Sequence, residues 1–200
     1  ADPNFVAKAA AGRPDTINTC IACNQACLDH TFQLKITSCL VNPLACHETE
    51  LVIEPAPVRR RVAIVGSGPA GMACAVTAAE RGHDVTLFEA GDRIGGQLLI
   101  ARLVPGKGEF DETLRYFGVR LDETGVDIRL DTAATPEVLA DFDAVALATG
   151  VTPRVPDIPG VDHPCVATYL QVLRGEVEVG RRVAILGAGG IGFDVAEYLT

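Results

Sequence analysis

The chain has 200 residues, 48% of them apolar and 22% charged, with a net charge of −9. This composition supports a packed core and excludes long disorder, and the acidic balance excludes a nucleic-acid surface, which needs clustered Lys and Arg. No run of about 18 apolar residues is present to span a membrane, and the start ADPNFVAKAAAGRPD lacks the basic-then-apolar pattern of a secretion signal.

Residues 1–19 hold a short helix-like stretch followed by GRPDTIN. Cysteines come next. Cys20, Cys23, Cys27, Cys39 and Cys46 fall within 27 residues, and Cys74 and Cys165 are scattered. The odd total and the missing secretion signal argue against a disulfide framework. The dense group reads C-x2-C-x3-C-x11-C, followed by Cys46. Four thiolates so spaced suit a [4Fe–4S] cluster or a structural zinc ion. Zinc sites more often pair two C-x2-C knuckles, and here the second knuckle is missing, so spacing favours iron–sulfur and leaves zinc open. His30 and His47 read as surface or outer-shell residues, and spacing does not exclude Cys46 as a fifth candidate ligand. Cys74 lies in an Ala-rich helix pattern and Cys165 in a loop, both as ordinary small residues. Residues 40–60 carry several prolines and read as extended chain leading from the metal segment into a new domain.

From Arg61 the pattern changes. RVAIV (61–65) is an apolar, β-rich run that predicts a buried parallel strand. Gly66, Gly68 and Gly71 follow at once in G-x-G-x-x-G spacing, then a helix predicted over 69–81 and a strand over 84–88 closed by Glu89. Gly66 permits the turn, Gly68 lets backbone approach a diphosphate, and Gly71 lets the helix pack close. The helix N-terminus offers free N–H groups to the diphosphate, and Glu89 stands where a carboxylate accepts ribose hydroxyls. GDRIGGQL (91–98) adds a second glycine pair. An amphipathic helix over 109–124 carries Phe110, Leu114, Phe117 and Leu121 on one stripe. VDIRL (126–130) and DAVALATG (143–150) read as further strands.

The run RRVAILGAGGIG (181–192) repeats the opening of that unit with Gly187, Gly189 and Gly192, and FDVAEYLT begins the next helix. The two strand–glycine units start 121 residues apart, which suits a second nucleotide site inserted into the first domain. The fold class is therefore α/β: a Rossmann-like FAD/NAD(P)-binding parallel sheet preceded by an irregular cluster segment. One strand and one helix cannot bury both faces of a sheet. With Met72 as its single methionine, the chain reads as an internal segment of a longer protein.

The order of strands, with Ala148-Thr149-Gly150 after a late one, resembles flavoproteins that bind two dinucleotides. More specifically, CIACNQACLDHTFQLKITSCLVNPLACHE (20–48), then VAIVGSGPAG, VTLFEA, IGGQ, PGK, ATG and GAGGIG, closely resemble the bacterial NADPH-dependent 2,4-dienoyl-CoA reductases. These are iron–sulfur flavoenzymes related to old yellow enzyme and trimethylamine dehydrogenase. The resemblance covers nearly the whole chain. It implies an N-terminal TIM barrel holding FMN and the acyl-CoA substrate, with residues 1–19 as the tail of that barrel. It further implies 20–60 as the [4Fe–4S] segment and linker, 61–155 as the first part of the FAD domain, and 156–200 as the start of the NAD(P)H domain. It assigns Cys20, Cys23, Cys27 and Cys39 to the cluster, but not Cys46. Ala70 and Glu89 match FAD contacts, Gln97 and Lys107 match further polar ones, and Ala134 matches a main-chain contact to adenine. The implied path runs from NADPH to FAD, through the cluster, to FMN in the barrel. No catalytic acid or base falls within this chain.

Two other readings stand beside this one. An amine dehydrogenase or enoate reductase shares the architecture, although amine dehydrogenases space the third cysteine two residues after the second. A zinc-stabilised nucleotide-binding module would have no redox role. Clustered thiolates suit a reducing cytoplasm. The group that selects NADPH over NADH is expected about 20 residues beyond Gly192.

Overall fold

The computed structural model describes residues 2–200. Its N-terminal part is irregular. A short helix α1 (Phe5–Ala10) and a single 3-10 turn (Pro14–Thr16) precede the cysteine segment, which contains one helical turn, α2 (Leu28–Phe32). The extended stretch predicted after it leads to β1 (Arg61–Val65).

The apolar runs then pair. After β1 come α3 (Pro69–Glu80), β2 (Asp84–Phe88), α4 (Leu98–Ala101), α5 (Glu109–Glu123), β3 (Asp127–Arg129), α6 (Pro136–Leu139) and β4 (Ala144–Leu147). The strands form one sheet in the order β3-β2-β1-β4, parallel throughout. Ile64 stands opposite Leu87 on one side and Ala146 on the other. Strand β1 is thus central, and the chain departs from it towards β2 and returns to it at β4. That reversal opens a crevice at the carboxyl end of β1, where ligands of such sheets bind.

Helices α3 and α5 cover one face of the sheet. Alternation along the strands turns Ile64, Val85 and Leu87 towards them. There they form the core with Met72, Ala75, Val76, Leu121 and Val126. Leu114 and Phe117 of the α5 stripe pack against this core, while Phe110 is half-buried outside it. Helix α3 begins with Pro69 at its first turn, which needs no N–H there, and stops before Gly82, whose φ of +93° is the left-handed stop glycine permits. On the opposite face Phe88 meets Phe142 edge-on at 5.7 Å, and the Arg129 guanidinium lies 5.5 Å from the Phe88 ring. Val145 and Leu147 of β4 are exposed, because β4 is an edge strand that no described helix covers on that side.

Residues 182–186 differ from expectation. The predicted strand does not form among the described residues, and Val183, Ile185 and Leu186 are exposed. Its backbone has no described strand alongside to pair with, and unpaired extended chain has no ladder to hold it. The glycine turn after it and α8 (Gly190–Tyr198) form nonetheless. Before them lies α7 (Tyr169–Leu173), which starts on a capping box between Thr168 and Gln171 and packs on α8.

Candidate functional site

The first glycine turn sits at the crevice. Gly66 has φ +98°, and a Cβ there would stand 2.4 Å from the Ala148 carbonyl oxygen. Its N–H donates to Phe88 O, while Ala148 N–H donates to Val65 O, both at 2.8 Å, so β2 and β4 close on either side of it. A Cβ on Gly71 would come within 1.8 Å of the Gly66 carbonyl oxygen, which is why the helix can approach the strand only without a side chain. Gly68 is different. A Cβ there meets nothing within 4 Å, and no side chain caps α3, whose first N–H groups include that of Ala70. Open space in front of an uncapped helix N-terminus fits a dinucleotide diphosphate. The second glycine pair closes this site from the side: Gly95 N–H donates to Ser67 O at 2.9 Å, and Gly96, at φ +54°, lies against the Gly68 backbone.

Glu89 ends β2 and turns back to the glycine loop. One carboxylate oxygen accepts from Ser67 N–H at 2.9 Å and Ser67 Oγ–H at 2.5 Å, and the other accepts from Gly91 N–H at 2.9 Å. Burial opposes its charge. The Ser67 hydroxyl and the Gly91, Ser67 and Ala90 backbone groups outweigh that and hold the carboxyl below the usual range. Glu89 is therefore a fixed anion beside the diphosphate space, the form that accepts ribose hydroxyls and repels a 2′-phosphate. Ser67 was not singled out in the sequence. Its place between two turn glycines was the available signal.

The other predicted contacts spread around this centre. Gln97 opens α4, and its Nε2–H donates to Val151 O at 3.1 Å, tying the second glycine pair to the segment after β4. Ala134 is half-buried shortly after β3, where Thr132 N–H donates to Glu89 O at 2.8 Å. Lys107 is engaged elsewhere, in an ion pair with Asp194 on α8. The second turn repeats the first: Gly187 has φ +120°, Gly189 is the uncapped start of α8, and a Cβ on Gly192 would stand 2.2 Å from the Gly187 carbonyl oxygen.

Cys20, Cys23, Cys27 and Cys39 line a single small pocket, together with Ile21, Ala26 and Leu40. Cys46 does not line it. Ala22 and Asn24 adopt left-handed φ values of +54° and +56°, costly for non-glycine residues, and so fold the chain tightly between Cys20, Cys23 and Cys27. The Ala22 N–H points at the Cys20 sulfur, 3.4 Å away. His30 pairs with the Ile36 carbonyl and His47 with Glu50, and neither lines the pocket. Among the described residues, no three His, Cys, Asp or Glu side chains are arranged to hold one metal ion. Four cysteines around one pocket are the donor set that a [4Fe–4S] cluster or a structural zinc ion takes.

The stretch just before the cysteines is fastened to the sheet domain by Arg115 on α5. Its guanidinium donates to the carbonyls of Asp15 and of Ile17 (2.9 Å), to Thr19 Oγ1 (3.1 Å) and to Glu112 (2.8 Å). Sequence reading passed over Arg115, because a lone arginine on the outer side of an amphipathic helix carries no signal of its partner.

Comparison with known proteins agrees with this geometry. Residues 60–200 match the model of the pyridine nucleotide-disulphide oxidoreductase family, and the chain belongs to that family. It is 39% identical over its full length to a metal reductase of Desulforamulus reducens, covering 31% of that protein. The structure of 2-naphthoyl-CoA reductase with 2-naphthoyl-CoA aligns over the whole chain with a TM-score of 0.96 and 38% identity, covering 31% of that enzyme. A 6-hydroxypseudooxynicotine amine oxidase from Pseudomonas geniculata aligns over 88% of the chain with a TM-score of 0.76 and 32% identity, covering 29% of that enzyme. The chain spans about a third of the length of the curated relatives it matches. Its α/β sheet with two glycine turns is the dinucleotide-binding fold of that oxidoreductase family.

Proposed function

We propose that this chain is the electron-transfer portion of an NADPH-dependent reductase of unsaturated acyl-CoA thioesters, of the 2,4-dienoyl-CoA reductase kind. Bound at the two glycine turns, NADPH and FAD would supply hydride chemistry, and a [4Fe–4S] cluster held by Cys20, Cys23, Cys27 and Cys39 would supply one-electron transfer towards an FMN in an N-terminal barrel. The observation that carries this reading is that Cys20, Cys23, Cys27 and Cys39 line one pocket, directly after a stretch that Arg115 fastens to the dinucleotide-binding fold. The likeness to 2-naphthoyl-CoA reductase supports a thioester substrate.

The chain's own residues have separate tasks in this scheme. Gly66, Gly68, Ala70 and Gly71 present backbone to the FAD diphosphate, and Glu89, charged and held by Ser67, takes its ribose. Gln97 and Ala134 complete that site, while Lys107 is held away from it by Asp194. Gly187, Gly189 and Gly192 serve NADPH. The four cysteines hold the cluster, and the left-handed turns at Ala22 and Asn24 bring Cys20, Cys23 and Cys27 around it.

Anaerobic purification followed by an absorbance spectrum and assays of iron, sulfide, zinc and flavin tests the scheme. About four irons with matching sulfide, and bound FAD, support it. A colourless protein containing zinc overturns it in favour of a nucleotide-binding module without redox function. A second reading, oxidation of an amine, is favoured by the likeness to an amine oxidase. Assaying the enzyme that contains this chain with a 2,4-dienoyl-CoA and with a methylated amine separates the two. The reading includes a cytoplasmic location, which the oxygen sensitivity of such a cluster suits.

A further inference from the structure

The two ends of the cysteine segment meet through one side chain. Asn18, two residues before Cys20, is 9% exposed, one of few buried polar residues. Its Nδ2–H donates to the carbonyl of Val41, two residues after Cys39, at 2.6 Å. Its own backbone N–H donates to Asp2 Oδ2 at 2.8 Å, and Lys8 holds the same oxygen at 2.7 Å, so Asn18 cannot drift with the loop. The other end of its amide, Oδ1, is buried and has no hydrogen-bond partner among the described residues.

A buried acceptor without a donor is unfavourable, and an apolar residue of the same shape would avoid it. The amide therefore serves through its donor. A carbonyl such as Val41 O accepts only, which sets the amide's orientation. A separate bond, Ser38 N–H to Ala26 O at 2.8 Å, joins the neighbours of Cys39 and Cys27. The Asn18 bond does the corresponding work for Cys20 and Cys39, the first and last of the four pocket thiols. Without it, the Cys20 arm would keep its Arg115 contacts but lose its tie to the Cys39 arm.

We propose that Asn18 is a positioning residue for the four-cysteine cage, tying the arm that ends at Cys20 to the arm that leaves Cys39 and so setting the span the cluster must fill. The inference rests on the cage being the iron–sulfur site proposed above.

The test is iron retention in anaerobically purified protein challenged with excess bathophenanthroline. Asn18→Leu removes the donor and keeps the volume. Asn18→Asp keeps the acceptor and loses the donor. Asn18→His supplies a ring N–H at a similar reach. Iron release about tenfold faster in the Leu and Asp variants, with a changed electron paramagnetic resonance spectrum of the reduced cluster, is expected. FAD content and circular dichroism should be unchanged, and the His variant should recover most of the retention. Release within twofold of wild type in both the Leu and Asp variants overturns the proposal. So does loss of FAD along with iron, since the effect is then fold-wide. A wild-type protein free of iron refutes the cluster reading itself, a distinct result that removes the basis of this one.

Discussion

The ammonium of Lys107 lies 2.6 and 2.7 Å from the two carboxylate oxygens of Asp194, joining the loop after α4 to the helix of the second glycine turn. Both groups are partly open to solvent, so screening keeps the pair weak, at about 0.5 kcal/mol. A double-mutant cycle of Lys107→Ala and Asp194→Ala in denaturant unfolding should return a coupling of that size, shrinking in 1 M salt. A coupling that does not respond to salt would show that the two residues interact by packing and not by charge.

Gly68 and Gly71 should respond in opposite ways to the same substitution. Gly71→Ala places a methyl against the Gly66 carbonyl and should destabilise the fold by about 3 kcal/mol or unfold it. Gly68→Ala meets only open space and has an ordinary φ of −65°, so it should melt within about 2 °C of wild type. Its effect should appear in flavin binding, as at least a tenfold weaker Kd in fluorescence titration, because the methyl occupies the space for the diphosphate.

Replacing Glu89 by Gln sets an amide N–H against donors that the carboxylate accepts. A loss of about 2 kcal/mol in stability is expected, with weaker FAD binding. The pH dependence follows from the sign of the shift. Glu89 has a folded-state pKa below its unfolded value, so its contribution is complete above about pH 4.3 and is lost as pH falls through the lower folded value. Asp2, which burial disfavours but Lys8, Asn18 and Asn4 hold charged, acts in the same direction. Acid unfolding curves of wild type and Glu89→Gln should therefore converge as the pH drops below 4.

Single Ser replacements of Cys20, Cys23, Cys27 and Cys39 should each abolish stoichiometric iron–sulfide incorporation. Cys46→Ser, Cys74→Ser and Cys165→Ser should retain it, since none of these three lines the pocket. Iron and sulfide analysis after anaerobic reconstitution reads the difference. Loss of the cluster in Cys46→Ser would place a fifth cysteine in the ligand set.

Arg115→Met removes the donors that grip the chain from Asp15 to Thr19 and keeps most of the stem. Hydrogen exchange across residues 14–24 should accelerate about tenfold, while β1 and β2 stay protected. Uniform acceleration of the whole chain would instead make Arg115 part of the general fold.

The parts legible in the sequence are those that depend on near neighbours. Glycine spacing dictates where φ turns positive and where a helix can touch a strand, and Gly66, Gly71, Gly187 and Gly192 follow it. Apolar periodicity located β1, β2, α3 and α5 to within a residue or two, and the four thiols that the family resemblance assigns to the cluster line one pocket, which Cys46 does not. The tertiary structure alone decided which distant groups meet. Ser67 holds Glu89 across 22 residues, Lys107 finds Asp194 across 87, Arg115 grips a segment about a hundred residues earlier, and Asn18 spans 23 to reach Val41. No local period encodes such pairs, because polar positions on a helix or loop acquire distant partners only once the sheet has set where each element lies. The run at 182–186 marks the same boundary from the other side: it has the composition of a strand, but a strand exists only through the neighbour whose backbone it pairs with.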